Sequence, residues 1–417
     1  MKVVIIAGGQ GTRIASVNSE IPKAMIPVAG KPVLEYEIEL AKRYEFTDFL
    51  IIIGYLGNQI ETYFGDGSKF GVSIEYYKEE KPLGTAGALG LLKDKLTEDF
   101  FVFYGDTVTD FDMQAMLDFH RSKLSDATLF VHPNDHPYDS DIVQLANDGK
   151  VKGFFHKPHP EGFVSHNSIN AALFIFSPAV LELIEPGVKS HIEKDVLPRC
   201  LGQGLNLYGY TSFEYIKDMG TPDRYEAVCR DVESGKVASL NRCNKRRAIF
   251  LDRDGTLNKE VNLLSKAEQM ELIPGVAEAI RLINGSGFLA IVVTNQPVIA
   301  RNLCSLEELD YIHARLETLL GAERAYLNAI YYCPHHPDKG YPEERVEYKI
   351  DCECRKPKPG LLYKAADDWN IDLSESYMIG DSCRDFQAGV NAGVKQSIII
   401  ETNRDNALLK AIKTILK

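Results

Sequence analysis

Two acids stand two positions apart in Asp252-Arg253-Asp254-Gly255-Thr256-Leu257-Asn258, directly after the apolar run 248–251. Residues two apart at a strand end leave on the same side, so both carboxyls can reach one phosphorus. One can attack it while the other protonates the departing oxygen and then activates water. A bare Asp-x-Asp is more often a surface turn, but its place between a buried strand and Gly-Thr favours chemistry. Other apolar runs end in matching groups. Run 289–294 closes on Thr294-Asn295-Gln296, a hydroxyl and amides suited to a phosphoryl oxygen, and run 377–379 closes on Gly380-Asp381, a further carboxylate for Mg²⁺. Arg355-Lys356-Pro357 adds cations. Between these clusters, Cys333-Pro334-His335 and Cys352-Glu353-Cys354 supply four soft ligands. Cys333, His335, Cys352 and Cys354 fill a tetrahedral zinc site with no position open, which predicts a structural ion. Cys200, Cys229, Cys243, Cys304 and Cys383 lack such company and read as small buried or linker residues.

The first half carries a second constellation. The strand-like run Val3–Ala7 enters Gly8-Gly9-Gln10-Gly11-Thr12-Arg13, where the backbone N–H groups of Gly8, Gly9, Gly11 and Thr12 can cradle phosphate. Arg13 and, after Pro22, Lys23 add two cations fit to stabilise charge on a pentacoordinate phosphorus and a departing pyrophosphate. Pro82-Leu83-Gly84-Thr85-Ala86-Gly87 and Phe103-Tyr104-Gly105-Asp106 follow, and Asp218-Met219-Gly220-Thr221-Pro222 supplies another acid. Taken singly, each Asp is more commonly a turn former or cap. Together, Asp106 and Asp218 make the minimal carboxylate pair for a Mg²⁺ that keeps substrate oxygens as its other ligands.

The elements that must position these groups are short β-branched runs, Val3–Ala7, 49–54, Phe100–Tyr104 and 127–131 early, then 248–251, 289–294 and 377–379. Segments with helical spacing, such as Val33–Arg43 and 306–320, lie between several of them, which predicts βαβ units and mainly parallel sheets. At 417 residues the chain suits two α/β domains: residues 1–235, a linker over 236–246 through the basic run Arg242-Cys243-Asn244-Lys245-Arg246-Arg247, and residues 247–417. Apolar content of 45% and charged content of 25% are those of a globular chain, with no apolar run of membrane-spanning length. A net charge of −12 argues against a nucleic-acid partner, and the N-terminus lacks a signal-peptide pattern, so the expected location is the cytoplasm. An oligomer is left open.

Through Gly8-Gly9-Gln10-Gly11-Thr12-Arg13, Pro22-Lys23, Gly84-Thr85-Ala86-Gly87, Gly105-Asp106 and Asp218-Met219-Gly220-Thr221-Pro222, residues 1–230 resemble the sugar-1-phosphate nucleotidyltransferases. The resemblance implies a Rossmann-like, GT-A-like domain that joins a sugar 1-phosphate to a nucleoside triphosphate. Arg13 and Lys23 would hold phosphates, Asp106 and Asp218 Mg²⁺, and Lys157, Glu193 and Asn170 the sugar phosphate. Gly84, Thr85, Tyr104 and Gly105 would line the nucleotide. Glu79, five residues before Gly84, stands where the family contacts the base; its carboxylate can accept from N1–H and the exocyclic amine of guanine, which favours GTP. His156, before Lys157, and Ala171-Ala172, after Asn170, depart from the family's pattern around the sugar.

Residues 246–417 resemble the histidinol-phosphate and heptose-bisphosphate phosphatases of the haloacid-dehalogenase (HAD) superfamily, with a Rossmannoid fold and a zinc-binding loop. By that likeness Asp252 is the nucleophile and Asp254 the general acid/base. Thr294 and Lys356 stabilise the phosphoryl group, with Asn295, Gln296 and Arg355 on the substrate. Mg²⁺ would lie on Asp252, the Asp254 carbonyl and Asp381. Pro297-Val298 and Ser382 depart from the usual residues beside the site. One substrate could unite the halves: a heptose 1,7-bisphosphate loses its 7-phosphate and the heptose 1-phosphate is activated, as in making GDP-D-glycero-α-D-manno-heptose. A mannose-1-phosphate guanylyltransferase joined to a phosphatase for another ester is the alternative within enzymes. A regulatory pseudoenzyme is the alternative outside them, although every reactive acid is present.

Overall fold

The computed structural model describes residues 1–9, 20–340 and 343–417. The chain forms two compact α/β units: Met1–His132, Val143–His156 and Asn170–Asn241 make the first, and Pro133–Ile142, Lys157–Ile169 and Arg242–Lys417 the second. The division at Asn241 falls inside the expected 236–246 linker, part of which is a helical turn, Lys236–Ser239. Two short segments of the N-terminal half, 133–142 and 157–169, group with the second unit.

Besides the two-residue antiparallel strands Pro27–Val28 and Lys31–Pro32, the first unit holds β1 (Val3–Ala7), β2 (Asp48–Ile53), β3 (Ser73–Lys78), β4 (Phe100–Tyr104), β5 (Thr107–Asp110), β6 (Ala127–His132), β7 (Ile142–Leu145), β8 (Val151–Phe155), β9 (Ile169–Phe176), β10 (Leu207–Thr211) and β11 (Tyr215–Asp218). Nine of them form one sheet whose main path runs β8-β7-β9-β4-β1-β2-β3, with β6 joining β9 to β10. The sheet is mixed: β1 is parallel to β2 and β4, but β9 is antiparallel to β4. Continuous apolar runs suit its centre because both faces are covered. Alternation sends Val3 and Ile5 to one core with Phe49, Ile51, Phe101 and Phe103, and Val4 to the other with Leu50, Ile52 and Val102. The remaining pair, β5 and β11, is a separate antiparallel ribbon.

The second unit holds a five-stranded sheet of β12 (Arg247–Leu251), β13 (Phe288–Asn295), β14 (Ala329–Cys333), β15 (Tyr377–Gly380) and β16 (Gln396–Ile399), in the order β14-β13-β12-β15-β16 and parallel throughout. Helices cross between them. The longest, Leu306–Ala322, begins at a capping box in which Ser305 accepts from the Glu308 N–H and Glu308 accepts from the Ser305 N–H. Because β12, β13 and β15 are neighbours, their C-terminal ends meet at one edge, and Asp252, Thr294 and Asp381 stand on it.

Candidate active sites

Asp252 leaves β12 with its N–H still bonded to the Ile379 carbonyl of β15, which brings it beside Asp381. Asp252, Asp381 and Asp385 each offer a carboxylate oxygen, all within 4.8 Å of one another. The approach depends on Gly255, which has φ +78° and lies so close to Asp381 that a Cβ there would fall 2.1 Å from its Oδ2. Lys356 is almost fully buried and forms ion pairs with Asp252 at 2.8 Å and Asp385 at 2.5 Å. Burial pushes the Asp252 carboxyl up to about 6 against the pull of Lys356, and it raises Asp381 as well. Three hard oxygen donors converging in one cleft fit a divalent cation such as Mg²⁺.

Asp254 turns from that cleft toward Arg253, Asn258 and Gln296. Burial alone would raise its carboxyl, but the Arg253 charge and these hydrogen bonds hold it below the ordinary range. Asn295 and Gln296, expected on a phosphoryl oxygen, are both engaged with protein: Asn295 with the Lys356 backbone, and Gln296 with Asp254, Arg253 and Thr294. Sequence reading passed over two groups. Asp385 sits four residues after Asp381 on the helix Cys383–Ala392, a spacing visible in Gly380-Asp381-Ser382-Cys383-Arg384-Asp385. Arg253 was treated as the spacer of Asp-x-Asp.

The four soft ligands converge. Cys333 Sγ lies 3.5 Å from Cys352 Sγ and 3.2 Å from Cys354 Sγ, and His335 Nδ1 lies 3.7 and 3.3 Å from Cys333 and Cys354. Thiolates on one tetrahedral zinc stand about 3.8 Å apart, so the set fits that ion after a small expansion. The thiols share hydrogen bonds with one another, so the cluster favours a single thiolate: Cys354 is pulled down to about 5, while Cys333 and Cys352 are pushed up. Arg355 follows directly and donates to the His335 carbonyl at 2.9 Å.

In the first unit, the β5–β11 ribbon sets Asp218 opposite Thr107, and the Met219 N–H donates to the Asp106 carbonyl at 3.0 Å. The backbones of Asp106 and Asp218, the two residues expected on Mg²⁺ and far apart in sequence, are thereby brought side by side. Each is paired with a cation: Asp106 with Lys23, and Asp218 with Arg224 at 2.6 Å. Arg224 was not foreseen; with Thr221 as its N-cap, the helix Pro222–Glu233 carries it back over Asp218. Burial opposes ionisation of Asp218, but Arg224 prevails and holds its carboxyl low.

Glu79 is half-buried and its Oε2 would meet a Cβ on Gly8 at 2.5 Å, so a glycine there lets the acid stand against the phosphate loop. Burial raises the Glu79 carboxyl, while its Oε1 accepts from the Leu83 N–H at 3.2 Å. Gly84, at φ +76°, passes close to the Ser190 carbonyl, and Thr85 accepts from the Ile192 N–H. That bond starts the π-helical turn Ile192–Val196, whose Glu193 accepts from the Tyr104 hydroxyl at 2.6 Å. Thr85 and Tyr104, expected on the nucleotide, thus orient Glu193. Gly105 packs against Ala7 and Ile5, a Cβ on Gly9 would meet nothing within 4 Å among the described residues, and Asn170 Oδ1 accepts from the Ala172 N–H. Lys157 belongs to the second unit, with its ammonium on Asp139, whereas Asn170 and Glu193 belong to the first. Gly11, Thr12 and Arg13 lie outside the described residues.

Residues 2–235 match the nucleotidyl transferase family model, and residues 353–412 match the HAD-hydrolase-like model. The first half is similar to a UTP–glucose-1-phosphate uridylyltransferase of Synechocystis, 32% identical over 58% of this chain and 65% of that one. It is likewise similar to a mannose-1-phosphate guanylyltransferase of Mycobacterium tuberculosis, 33% identical over 57% of this chain and 66% of that one. The chain thus spans just under two thirds of the length of these nucleotidyltransferases. A D-glycero-beta-D-manno-heptose-1,7-bisphosphate 7-phosphatase of Haemophilus influenzae is 39% identical over 38% of this chain and 83% of its own length. Among the described residues no helix is long and apolar enough to cross a membrane. With the nucleotidyl transferase model covering more than half of the sequence and the phosphatase relative matched over most of its length, the chain belongs to the nucleotidyl transferase family in its first half and to the HAD-type phosphatases in its second.

Proposed function

We propose that this is a bifunctional enzyme of nucleotide-heptose synthesis. The second unit removes the 7-phosphate of D-glycero-D-manno-heptose 1,7-bisphosphate, and the first transfers a nucleotidyl group, GMP from GTP, to the heptose 1-phosphate with release of pyrophosphate. The observation that carries the reading is the gathering of Asp252, Asp381 and Asp385 around Lys356 at the edge of the parallel sheet, in a half 39% identical to a heptose-bisphosphate phosphatase.

Asp252 attacks phosphorus while Lys356 holds the oxygens that gain charge. Thr294, whose oxygen accepts from Gln296, has its hydroxyl proton to give to the phosphoryl group. Mg²⁺ on Asp252, the Asp254 carbonyl and Asp381 would neutralise the phosphoryl charge. Arg355 contacts the substrate, and the zinc on Cys333, His335, Cys352 and Cys354 is structural. In the first unit Arg13 and Lys23 bind phosphates, Asp106 and Asp218 hold Mg²⁺, and Glu193 and Asn170 serve the sugar phosphate. Glu79 beside Gly8 supports guanine as the base. Both reactions belong to the cytoplasm.

A test incubates the whole protein with each anomer of the bisphosphate, Mg²⁺ and each of four nucleoside triphosphates, and identifies the nucleotide-sugar by mass spectrometry. GDP-heptose is expected. Transfer to mannose 1-phosphate but not to heptose 1-phosphate would instead favour the guanylyltransferase activity named for the Mycobacterium relative.

A further inference from the structure

The Asp254 carboxylate is gripped on both oxygens. Oδ1 accepts from Arg253 Nε at 3.1 Å and Asn258 Nδ2 at 2.9 Å; Oδ2 accepts from Arg253 Nη2 and Gln296 Nε2, each at 2.8 Å. Arg253 is 0% and Gln296 1% exposed. Their remaining hydrogen bonds tie them to each other and to the site. Arg253 Nη2 also donates to Gln296 Oε1 at 2.9 Å, and Gln296 Nε2 also donates to Thr294 Oγ1 at 2.9 Å. Both protons of Nη2 and both of Nε2 are therefore used, which fixes the amide with its oxygen toward Arg253 and its nitrogen toward Asp254. Arg253 thus spends Nε and Nη2 on one carboxylate and one amide, while its Nη1 is buried with no hydrogen-bond partner among the described residues.

We propose that Arg253 and Gln296 are positioning residues, a clasp that sets the direction and reach of Asp254 relative to Thr294 and the phosphorus. The proposal rests on the phosphatase reading above. Asp254 has two tasks there. Its four donors hold Asp254 as the carboxylate, so it first takes a proton from solvent and gives up one of those bonds; as Asp252 attacks, the bond from phosphorus to the leaving oxygen breaks and that oxygen takes this proton. Water then attacks the aspartyl phosphate, giving its proton to Asp254 as the bond from phosphorus to Asp252 breaks. One carboxyl can meet two different oxygens in turn only if it is held to one orientation between the steps. The clasp holds it through side chains that never touch the substrate.

The test compares two esters in the full chain, wild type against Gln296→Met, with Arg253→Lys as the second variant. Methionine keeps the length and burial of Gln296 but loses all three hydrogen bonds of the amide, to Arg253, Asp254 and Thr294. One ester is a sugar phosphate, whose alkoxide must be protonated to leave; the other is 4-nitrophenyl phosphate, whose phenolate leaves unaided. For Gln296→Met on the sugar phosphate, kcat is expected to fall roughly 10- to 100-fold with KM within about threefold. On 4-nitrophenyl phosphate the first-turnover burst is preserved, and acid-quenched enzyme holds more aspartyl phosphate than wild type, because only the water step has lost its base. Thermal melting of both variants separates this from misfolding. Equal losses on both esters without phosphoenzyme, or no loss on either, would overturn the clasp. A wild-type protein that releases phosphate from neither ester would overturn the phosphatase reading itself.

Discussion

Asn295 and Lys356 are joined by a two-point amide clamp. The Asn295 Oδ1 accepts from the Lys356 N–H at 3.0 Å, and its Nδ2 donates to the Lys356 carbonyl at 3.0 Å. A side chain at the end of β13 thereby fixes the backbone of a residue 61 positions later, whose ammonium serves Asp252 and Asp385. Asn295→Ala frees that backbone. We expect kcat for phosphate release to drop about 10- to 100-fold, the cost of displacing an aligned cation, with nucleotidyl transfer unchanged. Steady-state kinetics of both reactions check it.

Asp252→Asn removes the proposed nucleophile but keeps the shape of the site. Mg²⁺-dependent phosphate release should vanish, with a rate loss on the order of 10⁴-fold or more, while pyrophosphate release by the first unit continues at the wild-type rate. Loss of both activities would mean that the two sites do not work independently.

The Cys/His cluster reaches the proposed substrate contact Arg355 through the bond from its guanidinium to the His335 carbonyl. Elemental analysis of the purified protein should find one zinc per chain, and Cys352→Ser should reduce it. Removing the ion with a chelator is expected to loosen the 333–354 loop, seen as faster amide exchange there, and to release Arg355 from His335. KM for the phosphate ester should then rise several-fold with a smaller change in kcat.

How much of this was legible in the sequence depended on where each partner lay along the chain. Asp252, Thr294 and Asp381 could be read because each closes an apolar strand, and in a parallel sheet such ends share an edge. The convergence of Cys333, His335, Cys352 and Cys354 could be read from two pairs of fixed spacing. Partners set by tertiary packing gave no such sign. Nothing local marks Asn295 as a backbone clamp, Gln296 as the partner of a buried arginine, or Arg224 as the cation on Asp218. The mixed first sheet was hidden for the same reason: β9 runs antiparallel to β4, but its largely apolar eight residues carry no mark of direction. Asp385 differs, since its spacing from Asp381 was open to view.

Glu79 gives a prediction on base choice. A glutamine at this position offers one donor and one acceptor in place of two acceptors, a poorer match to the guanine edge and a better one to uracil or thymine. Glu79→Gln should lower kcat/KM for GTP about 10-fold or more relative to UTP or dTTP, measured by competition between paired triphosphates.

Glu37 tests the ground beneath the nucleotidyl site. It lies on the helix Val33–Arg43, 0% exposed, and its Oε1 accepts from the Thr107 hydroxyl at 2.9 Å, next to Asp106 in sequence. Among the described residues its Oε2 has no hydrogen-bond partner. Burial, with the Asp106 charge adding to it, pushes the carboxyl well above its ordinary 4.5. The folded protein thus keeps this proton at pH values where the unfolded chain has released it. Stability owed to the protonated form is complete below about pH 4.5. It then declines as pH rises, by up to about 1.4 kcal/mol per unit, until the folded carboxyl itself titrates. Glutamine, neutral in both states and nearly the same shape, removes that dependence. Glu37→Gln should therefore melt close to wild type near pH 4.5 and progressively above it toward pH 8, with nucleotidyl transfer retained. Melting curves that stay parallel across this range would mean that Glu37 is ionised where it lies, and that a cation reaches it in the folded protein.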